Sequence, residues 1–257
     1  MAAPQSQGQA VSLPQASQLL DSFISFMTVC IHNILFYRGI YPPASFLTAR
    51  AYNLPVHQSR HPKVCDWVRD ALDAVKAQLV LGAVERLAVV IYDADTCVME
   101  RWMFDLAGFP AWTGVKDFSR ASRGKEAAAV EPEDSRLNWT DVDEQLRAAV
   151  RRLAYAAEKL GPLPENCTFT IAVELREQSD APIGHPQPWI PTQPSLQTPS
   201  KTRQNPGTDV GGARTTPIRA IEAGPLFFEC WIEEGKAKFE GKAVGESSSG
   251  EPMSSAD

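Results

Sequence analysis

The sequence lacks the local patterns by which most active sites and metal sites are identified. It contains no GxSxG nucleophile elbow, no GxxxxGK[ST] phosphate loop, no GxGxxG dinucleotide motif and no HExxH zinc motif. Histidine occurs only 4 times. His57 and His61 have the spacing of paired metal ligands, but Pro62 prevents a helix that would carry both. We therefore expect neither a metal ion nor an organic cofactor.

A possible catalytic pair is found only at His61 and Cys65. Residues four apart lie on one face of a helix, so a cysteine nucleophile activated by histidine is geometrically possible there. No third partner is evident, and catalytic partners usually come from distant segments of a chain. The simpler interpretation is a histidine at the start of a helix and a small residue on its flank. We expect no enzymatic activity and keep a Cys/His enzyme as the less favoured alternative.

An excess of positive charge, an uninterrupted apolar run and paired cysteines are also missing. The net charge is −6, from 25 basic and 31 acidic residues. This balance argues against a broad phosphate-binding face, so we expect contact with DNA to be indirect only. The most apolar stretch, residues 19–37, is interrupted by Asp21, His32 and Asn33 among others, which predicts no membrane span. Five cysteines without CxxC spacing favour a reducing compartment.

Apolar periodicity predicts three helices. Apolar side chains recur at i, i+3, i+4 and i+7 over residues 13–38, 62–81 and 140–160. Pro62 suits the first position of the second helix, where its missing N–H costs nothing. Each of the three segments is followed by a glycine that can end a helix.

Strand patterns fill the sequence between and after these helices. A continuous apolar run predicts a strand covered on both faces, and alternating apolar and polar residues predict half-buried ones. Residues 44–60 predict a loop with one short extended piece. The order of elements predicts an α+β fold, with three helices packed on a largely antiparallel sheet. The predicted strands are residues 86–92, 98–106, 167–176, 214–221 and 226–233.

The composition predicts a single domain between two tails. Residues 1–13 predict a disordered leader that is neither a secretion signal nor a transit peptide, because residues 1–12 contain no lysine or arginine. The domain covers residues 14–234, with a loop or insertion at 107–136. The segment 182–217 holds 8 of the 20 prolines and contains the apolar cluster Pro188-Trp189-Ile190. Residues 235–257 predict a disordered tail rich in serine.

Three short motifs resemble the HORMA-domain family. They are Ile40-Tyr41-Pro42, Tyr52-Asn53-Leu54-Pro55-Val56 ahead of His61-Pro62, and Cys167-Thr168-Phe169-Thr170. The resemblance covers residues 15–234 and is strongest with the accessory, non-catalytic subunits of translesion DNA polymerase zeta. It implies a HORMA fold and a nuclear adaptor for DNA damage tolerance. The core would lie within residues 14–177, and a C-terminal safety belt at 178–234 would wrap a partner peptide.

The resemblance also implies the residues that hold this peptide. The aromatic residue of the belt matches Trp189, flanked by Pro188 and Ile190, and the facing aromatic of the second helix matches Trp67. The implied ligand is a PxxxAP-like peptide of the polymerase zeta catalytic subunit, held by main-chain pairing to a sheet edge and by apolar pockets. Without the resemblance, Trp67 is more simply a residue at the boundary of the core, and Trp189 is as readily one that docks against its own domain as one that contacts a peptide.

Two further surfaces are implied by the same resemblance. Ile218, Glu229 and Trp231 match positions that hold the C-terminal domain of a Y-family deoxycytidyl transferase, and Arg147 matches an arginine that joins two HORMA domains. The alternatives are ordinary strand packing for Ile218 and Trp231, and a solvated helix charge for Arg147. Another HORMA adaptor, of the spindle checkpoint or the meiotic chromosome axis, is the alternative for the function as a whole.

Overall fold

The computed structural model describes residues 13–109, 137–176 and 212–239. The helices are α1 (Leu13–Tyr37), α2 (Pro62–Val80) and α3 (Trp139–Lys159), and a short 3₁₀ turn lies at Pro43–Ser45. The strands are β1 (Phe46–Ala51), β2 (Leu54–Ser59), β3 (Val84–Tyr92), β4 (Val98–Asp105), β5 (Thr168–Leu175), β6 (Gly212–Ala223) and β7 (Leu226–Gly235). The predicted α+β class, the three helices and the five predicted strands are confirmed.

Helix α1 lies at the centre of the fold. Its buried side chains face the sheet and the other two helices, and they include Phe23, Phe26 and Ile34, each with 0% exposure. Among the described residues α1 alone is long and apolar enough to cross a membrane, but 61% of its apolar stretch is buried inside the fold. A core helix can be as long and apolar as a membrane span, because its neighbours in the fold bury its apolar side chains.

The main sheet has five antiparallel strands in the order β5-β3-β4-β7-β6. Strands β5 and β6 therefore lie at opposite edges, although they follow one another among the described strands. Residues 177–211 connect those two edges. Strands β1 and β2 form a separate hairpin that packs on α1.

The two faces of the sheet differ in what covers them. Side chains such as Leu87, Trp102 and Phe228 face the helices and belong to the main core. A smaller apolar cluster on the other face contains Ala88, Val90, Val98 and Met103, with Ala172 and Trp231 at its margin. The strand register places Ala172, Ala88, Met103 and Trp231 side by side across four strands.

The prediction of a loop at residues 44–60 is wrong, because this segment contains the β1–β2 hairpin. The residues of its tight turn, Tyr52 and Asn53, have φ of 50° and 55°, as a type I′ turn requires. Two polar residues of α1 hold β2 in place. The N–H of His57 donates to Oδ1 of Asn33 (2.9 Å), and the N–H of Ser59 donates to Nδ1 of His32 (3.4 Å).

The prediction that a disordered tail begins at Gly235 is wrong for its first residues. Gly235 ends β7, and residues 237–239 form a helical turn. The turn is held because Lys238 is buried and forms ion pairs with Glu100 and Glu234. Residues 1–12, 110–136, 177–211 and 240–257 lie outside the described residues, as do the predictions that fall on them.

Candidate functional site

A cavity of about 610 Å³ opens beside the start of β5. Three segments line it: the turn after α1, the end of β2 with the start of α2, and the first residues of β5. The cavity is mostly apolar, and its aromatic lining consists of Tyr41, Trp67 and Phe169. We call it the aromatic cavity.

Phe169 packs against each of the other two aromatic rings of this cavity. The ring of Phe169 lies 5.1 Å from that of Trp67 at 79°, and 6.4 Å from that of Tyr41 at 88°. Edge-to-face contacts of this kind are favourable for aromatic pairs. Trp67 is half-buried one position before Val68, which faces the core. The start of α2 at Pro62 thus fixes Trp67 at the edge of the core, with part of its ring exposed.

Strand β5 presents one edge that no described strand pairs. Its other edge pairs with β3 from Thr168 to Leu175, and seven of its eight residues are half-buried. Backbone N–H and C=O groups along an unpaired edge can accept a further strand from a peptide. We call this the peptide edge, and the aromatic cavity lies at its first residues.

Three of the described cysteines, Cys30, Cys65 and Cys230, are either buried or hydrogen-bonded through the thiol. The thiol of Cys65 donates to the carbonyl oxygen of Ser59 at 3.1 Å. Burial raises the pKa of Cys30 well above its ordinary value, and it raises that of Cys230 to about 12. A thiol with a raised pKa carries little of the reactive thiolate near neutral pH. Among the described residues no group of three His, Cys, Asp or Glu side chains could hold a metal ion.

The predicted belt residues Pro188, Trp189 and Ile190 lie outside the described residues. Trp67 is therefore placed by the structure, whereas the aromatic residue predicted to face it is not. The placement of Trp67 on the wall of a cavity agrees with either predicted role, a peptide contact or a residue at the boundary of the core.

The three residues predicted to form a second surface do not share one face of the sheet. Glu229 and Trp231 point away from the helices, and the indole N–H of Trp231 donates to Oε1 of Glu233 at 2.9 Å. Ile218 is 4% exposed and packs in the main core. The prediction of Ile218 as a surface residue is therefore wrong in this conformation. A β-bulge between Pro217 and Arg219 turns it inward.

Arg147 lies on the outer side of α3. It forms an ion pair with Glu144 one turn earlier (3.1 Å), and 40% of its side chain is exposed. An exposed ion pair contributes little to stability. Its position is open to a second molecule, and equally typical of a solvated helix charge.

Residues 22–216 match the family described as "HORMA domain". The chain belongs to the HORMA family. The resemblance in the sequence motifs and the predicted fold are both confirmed by this match.

Several curated proteins are similar to this HORMA domain over most of its length. The DNA polymerase zeta processivity subunit of Schizosaccharomyces pombe is 30% identical over 216 residues, which are 84% of this chain and 92% of that protein. The protein of the same name from Arabidopsis thaliana is 27% identical over 220 residues, 85% and 87% of the two chains. The mitotic spindle assembly checkpoint protein MAD2A of Dictyostelium discoideum is 29% identical over 192 residues, 74% and 83% of the two chains.

Solved structures share the fold at lower identity. A chain of the mitotic checkpoint complex has a TM-score of 0.61 at 19% identity, covering 84% of the present chain and 98% of that one. Another is HTP-2 of C. elegans bound to the HIM-3 closure motif, with a TM-score of 0.57 at 14% identity, covering 85% and 91%.

Two residues of the aromatic cavity, Tyr41 and Phe169, were not predicted as site residues. Both lie inside motifs that resemble the HORMA family, Ile40-Tyr41-Pro42 and Cys167-Thr168-Phe169-Thr170. Periodicity assigns Phe169 to the alternation of a half-buried strand and gives no sign of a cavity. The available signal is that each of these two motifs contains an aromatic residue, one before Trp67 in the sequence and one after it.

Proposed function

We propose that this HORMA domain is a non-enzymatic adaptor that holds a proline-containing peptide along the peptide edge of β5. The observation that carries the proposal is the aromatic cavity beside an edge that no described strand pairs. The peptide main chain extends the sheet, and a proline or another apolar residue enters the cavity. Main-chain bonds provide affinity in such a mode, and the side-chain pocket provides selectivity.

The chemistry of the cavity suits proline. Proline has no N–H and presents a flat apolar ring, so it leaves no buried donor unsatisfied against an aromatic wall. Trp67, Tyr41 and Phe169 supply that wall. Rigid aromatic residues in a partly desolvated pocket are typical of positions that dominate binding energy.

The order of strands supports a belt. Residues 177–211 connect the peptide edge to the opposite edge of the sheet, where β6 begins. In the proposal these residues pass over the peptide, and Trp189 between Pro188 and Ile190 covers it opposite Trp67.

We propose that the peptide is a PxxxAP-like segment of the catalytic subunit of DNA polymerase zeta. Two relatives with 27–30% identity over at least 84% of this chain are named as processivity subunits of that polymerase. The proposed adaptor works in the nucleus in DNA damage tolerance and contacts DNA only through its partners. Glu229 and Trp231 would hold the C-terminal domain of a Y-family deoxycytidyl transferase, and Arg147 would join two copies of the domain.

A spindle-checkpoint adaptor is the second candidate. The relative from Dictyostelium is named as a spindle assembly checkpoint protein, at 29% identity. Both candidates use the same edge and cavity and differ in the peptide. A meiotic-axis role has less support, since the C. elegans neighbour shares the fold at 14% identity. A Cys/His enzyme has the least support, since the Cys65 thiol donates a hydrogen bond to a backbone carbonyl oxygen.

Calorimetric titration of a PxxxAP peptide tests the clamp. Trp67→Ala should weaken binding roughly 30-fold to several hundred-fold, because truncating a buried aromatic anchor typically costs about 2–4 kcal/mol. Trp67→Tyr should keep most of the affinity, since the flat face remains. Asp73→Ala, on the exposed side of α2, serves as the matched control.

The same titration separates the two candidates. A checkpoint-type peptide without the PxxxAP pattern is measured beside the polymerase-type peptide. Tighter binding of the second supports the polymerase role, and tighter binding of the first supports the checkpoint role. If Trp67→Ala is folded and binds as tightly as the parent protein, the clamp assignment is wrong.

A further inference from the structure

The segment around the aromatic cavity carries positive charge in an otherwise acidic chain. Residues 22–65 contain no aspartate or glutamate, although the whole chain has 31 acidic and 25 basic residues. The lysine and arginine residues of this segment are Arg38, Arg50, Arg60 and Lys63. Arg38 is buried and paired with Glu100, so the exposed positive charge of the segment comes from the other three.

Lys63 brings this charge to the wall of the aromatic cavity. Lys63 and His61 both line it, and none of its described lining residues is acidic. Lys63 is exposed and lies in the first turn of α2, which contains no acidic residue. The ion pairs formed by the described basic residues of α2 are those of Arg69 and Lys76 and do not include Lys63. Its ammonium group is therefore available to a ligand in the cavity.

The spacing of Lys63 and Trp67 indicates where a bound anion would lie. Residues four apart lie on one face of a helix, about 6 Å apart along its axis. In an extended peptide, side chains two residues apart lie on the same face, about 6.7 Å apart. A peptide that runs past both side chains, with one residue against Trp67, thus places the second neighbour of that residue near Lys63.

We propose that Lys63 is a specificity-determining residue, which selects peptides with an aspartate or glutamate two positions from the proline in the aromatic cavity. This inference rests on the proposed function and adds the charge of the ligand to it. The apolar wall beside Lys63 strengthens an ion pair relative to one in open water. A charged contact at the margin of a binding site mainly sets specificity and association rate.

A peptide is favoured over a nucleic acid as the source of the negative charge. A single lysine at a cavity suits one carboxylate, whereas a nucleic acid needs a groove of cations that follows its backbone. The unpaired edge of β5 beside the cavity also offers the main-chain hydrogen bonds that a peptide uses.

Calorimetric titration of a set of PxxxAP peptides into the full chain tests the inference. Each peptide carries one aspartate, placed in turn at a variable position of the motif or at a residue flanking it, and has an asparagine counterpart. At a position two residues from a proline, the parent should bind the aspartate form about three- to tenfold more tightly. Elsewhere the two forms should differ by less than about twofold. The preference should shrink as the salt concentration rises, because ions screen the pair.

Variants of Lys63 show whether its ammonium group causes the preference. Lys63→Met should lose most of the preference and bind the asparagine peptide within about twofold of the parent, because the aromatic wall remains. Lys63→Glu should prefer lysine over aspartate at the same peptide position. Arg50→Met is the matched control and should keep the preference. Arg50 is also exposed, but it pairs with Pro55 at the turn end of the β1–β2 hairpin, away from the lining residue Ser59.

The outcomes distinguish this inference from the proposed function. If no PxxxAP peptide binds the parent, the proposed function fails and the inference fails with it. If peptides bind through Trp67 without a preference for aspartate, or with one that Lys63→Met retains, the proposed function stands and the inference is overturned. Equal weakening of aspartate and asparagine peptides in Lys63→Met would indicate a packing role and also overturn it. Displacement of the aspartate peptide by single-stranded DNA, at a lower concentration than by unlabelled peptide, would assign the charge to nucleic acid instead.

Discussion

Strands β5 and β4 differ in what lies along their outer sides in the main sheet. The β5 side carries no described partner strand and lies beside an uncharged aromatic wall of Tyr41, Trp67 and Phe169. The β4 side is covered by the chain's own hairpin and is fastened by buried charges at Glu100, Glu234 and Lys238. The first arrangement suits an exchangeable ligand, and the second suits a fixed internal one.

The difference lies in which strand of the sheet is open to a further strand. Exposed strand edges tend to pair with other chains. Here β4 is paired by β7 and is not an edge, β6 forms one edge of the sheet, and the other edge, β5, lies next to the aromatic cavity. The ion pair between Arg101 and Glu233 (2.7 Å) adds a second charged contact across β4 and β7. Each of the following predictions tests one side of the comparison.

The largest effect is expected at the charged side, from Glu100→Gln. The substitution leaves the guanidinium of Arg38 and the ammonium of Lys238 buried without the carboxylate that pairs both. Breaking a buried pair in this way typically costs about 3–5 kcal/mol. Urea unfolding followed by circular dichroism measures the loss. Glu144→Gln, at an exposed ion pair, is the control, and a loss below about 1 kcal/mol would show that water compensates the cluster.

The next effect is expected at the peptide side, from Trp189→Ala. Removing the proposed cover should weaken PxxxAP binding by about 2–4 kcal/mol. The double variant with Trp67→Ala should lose less than the sum of both, because the two rings contact one ligand. Calorimetry on all four proteins of the cycle gives the coupling. Full additivity would place the two tryptophans at separate sites.

A smaller effect is expected on the outer face of the hairpin, from Trp231→Ala. Binding of the transferase C-terminal domain should weaken at least about tenfold, or about 1.4 kcal/mol, while the clamped peptide binds as before. Pulldown with each partner, and a thermal melt of the variant, form the measurement. Joint loss of both partners in a folded variant would mean that the two sides of the sheet are not independent.

The smallest effect on stability is expected from Arg147→Ala, which removes an exposed ion pair and should change unfolding by less than about 0.5 kcal/mol. Light scattering over a range of concentrations tests its role in association. A concentration-dependent dimer in the parent should shift to monomer in the variant. An unchanged mass would identify Arg147 as a solvated charge.

Elements set by local patterns were predictable from the sequence. The stripe of α1 and the proline at the start of α2 depend on spacing and on backbone chemistry within a few residues, and both elements appear as predicted. The resemblance to the HORMA family supplied Trp67, which periodicity alone assigns to the boundary of the core.

Elements held by distant partners were not predictable. The β1–β2 hairpin turns at Tyr52-Asn53, which lacks the glycine that usually marks such a turn, and it is held by Asn33 on α1. The turn that contains Lys238 depends on Glu100, 138 positions earlier in the chain. Ile218 was assigned to a surface by the resemblance to the HORMA family, and the bulge that turns it inward leaves no trace in an alternating pattern.

That bulge places two successive residues of β6, Ile218 and Arg219, on the helix side of the sheet. Pro217 lies opposite Trp231 and Arg219 opposite Cys230, so Ile218 is the extra residue between them. Ile218 enters the core, while the guanidinium of Arg219 donates to Oε1 of Gln145 on α3 at 2.7 Å. Because side chains alternate along a strand, deleting Ile218 would make Pro217 and Arg219 consecutive in a regular ladder, with Pro217 still opposite Trp231 and Arg219 still opposite Cys230. The extra residue thus adds an apolar side chain to the core beside the Arg219 contact with α3, while the pairing of Pro217 with Trp231 is kept.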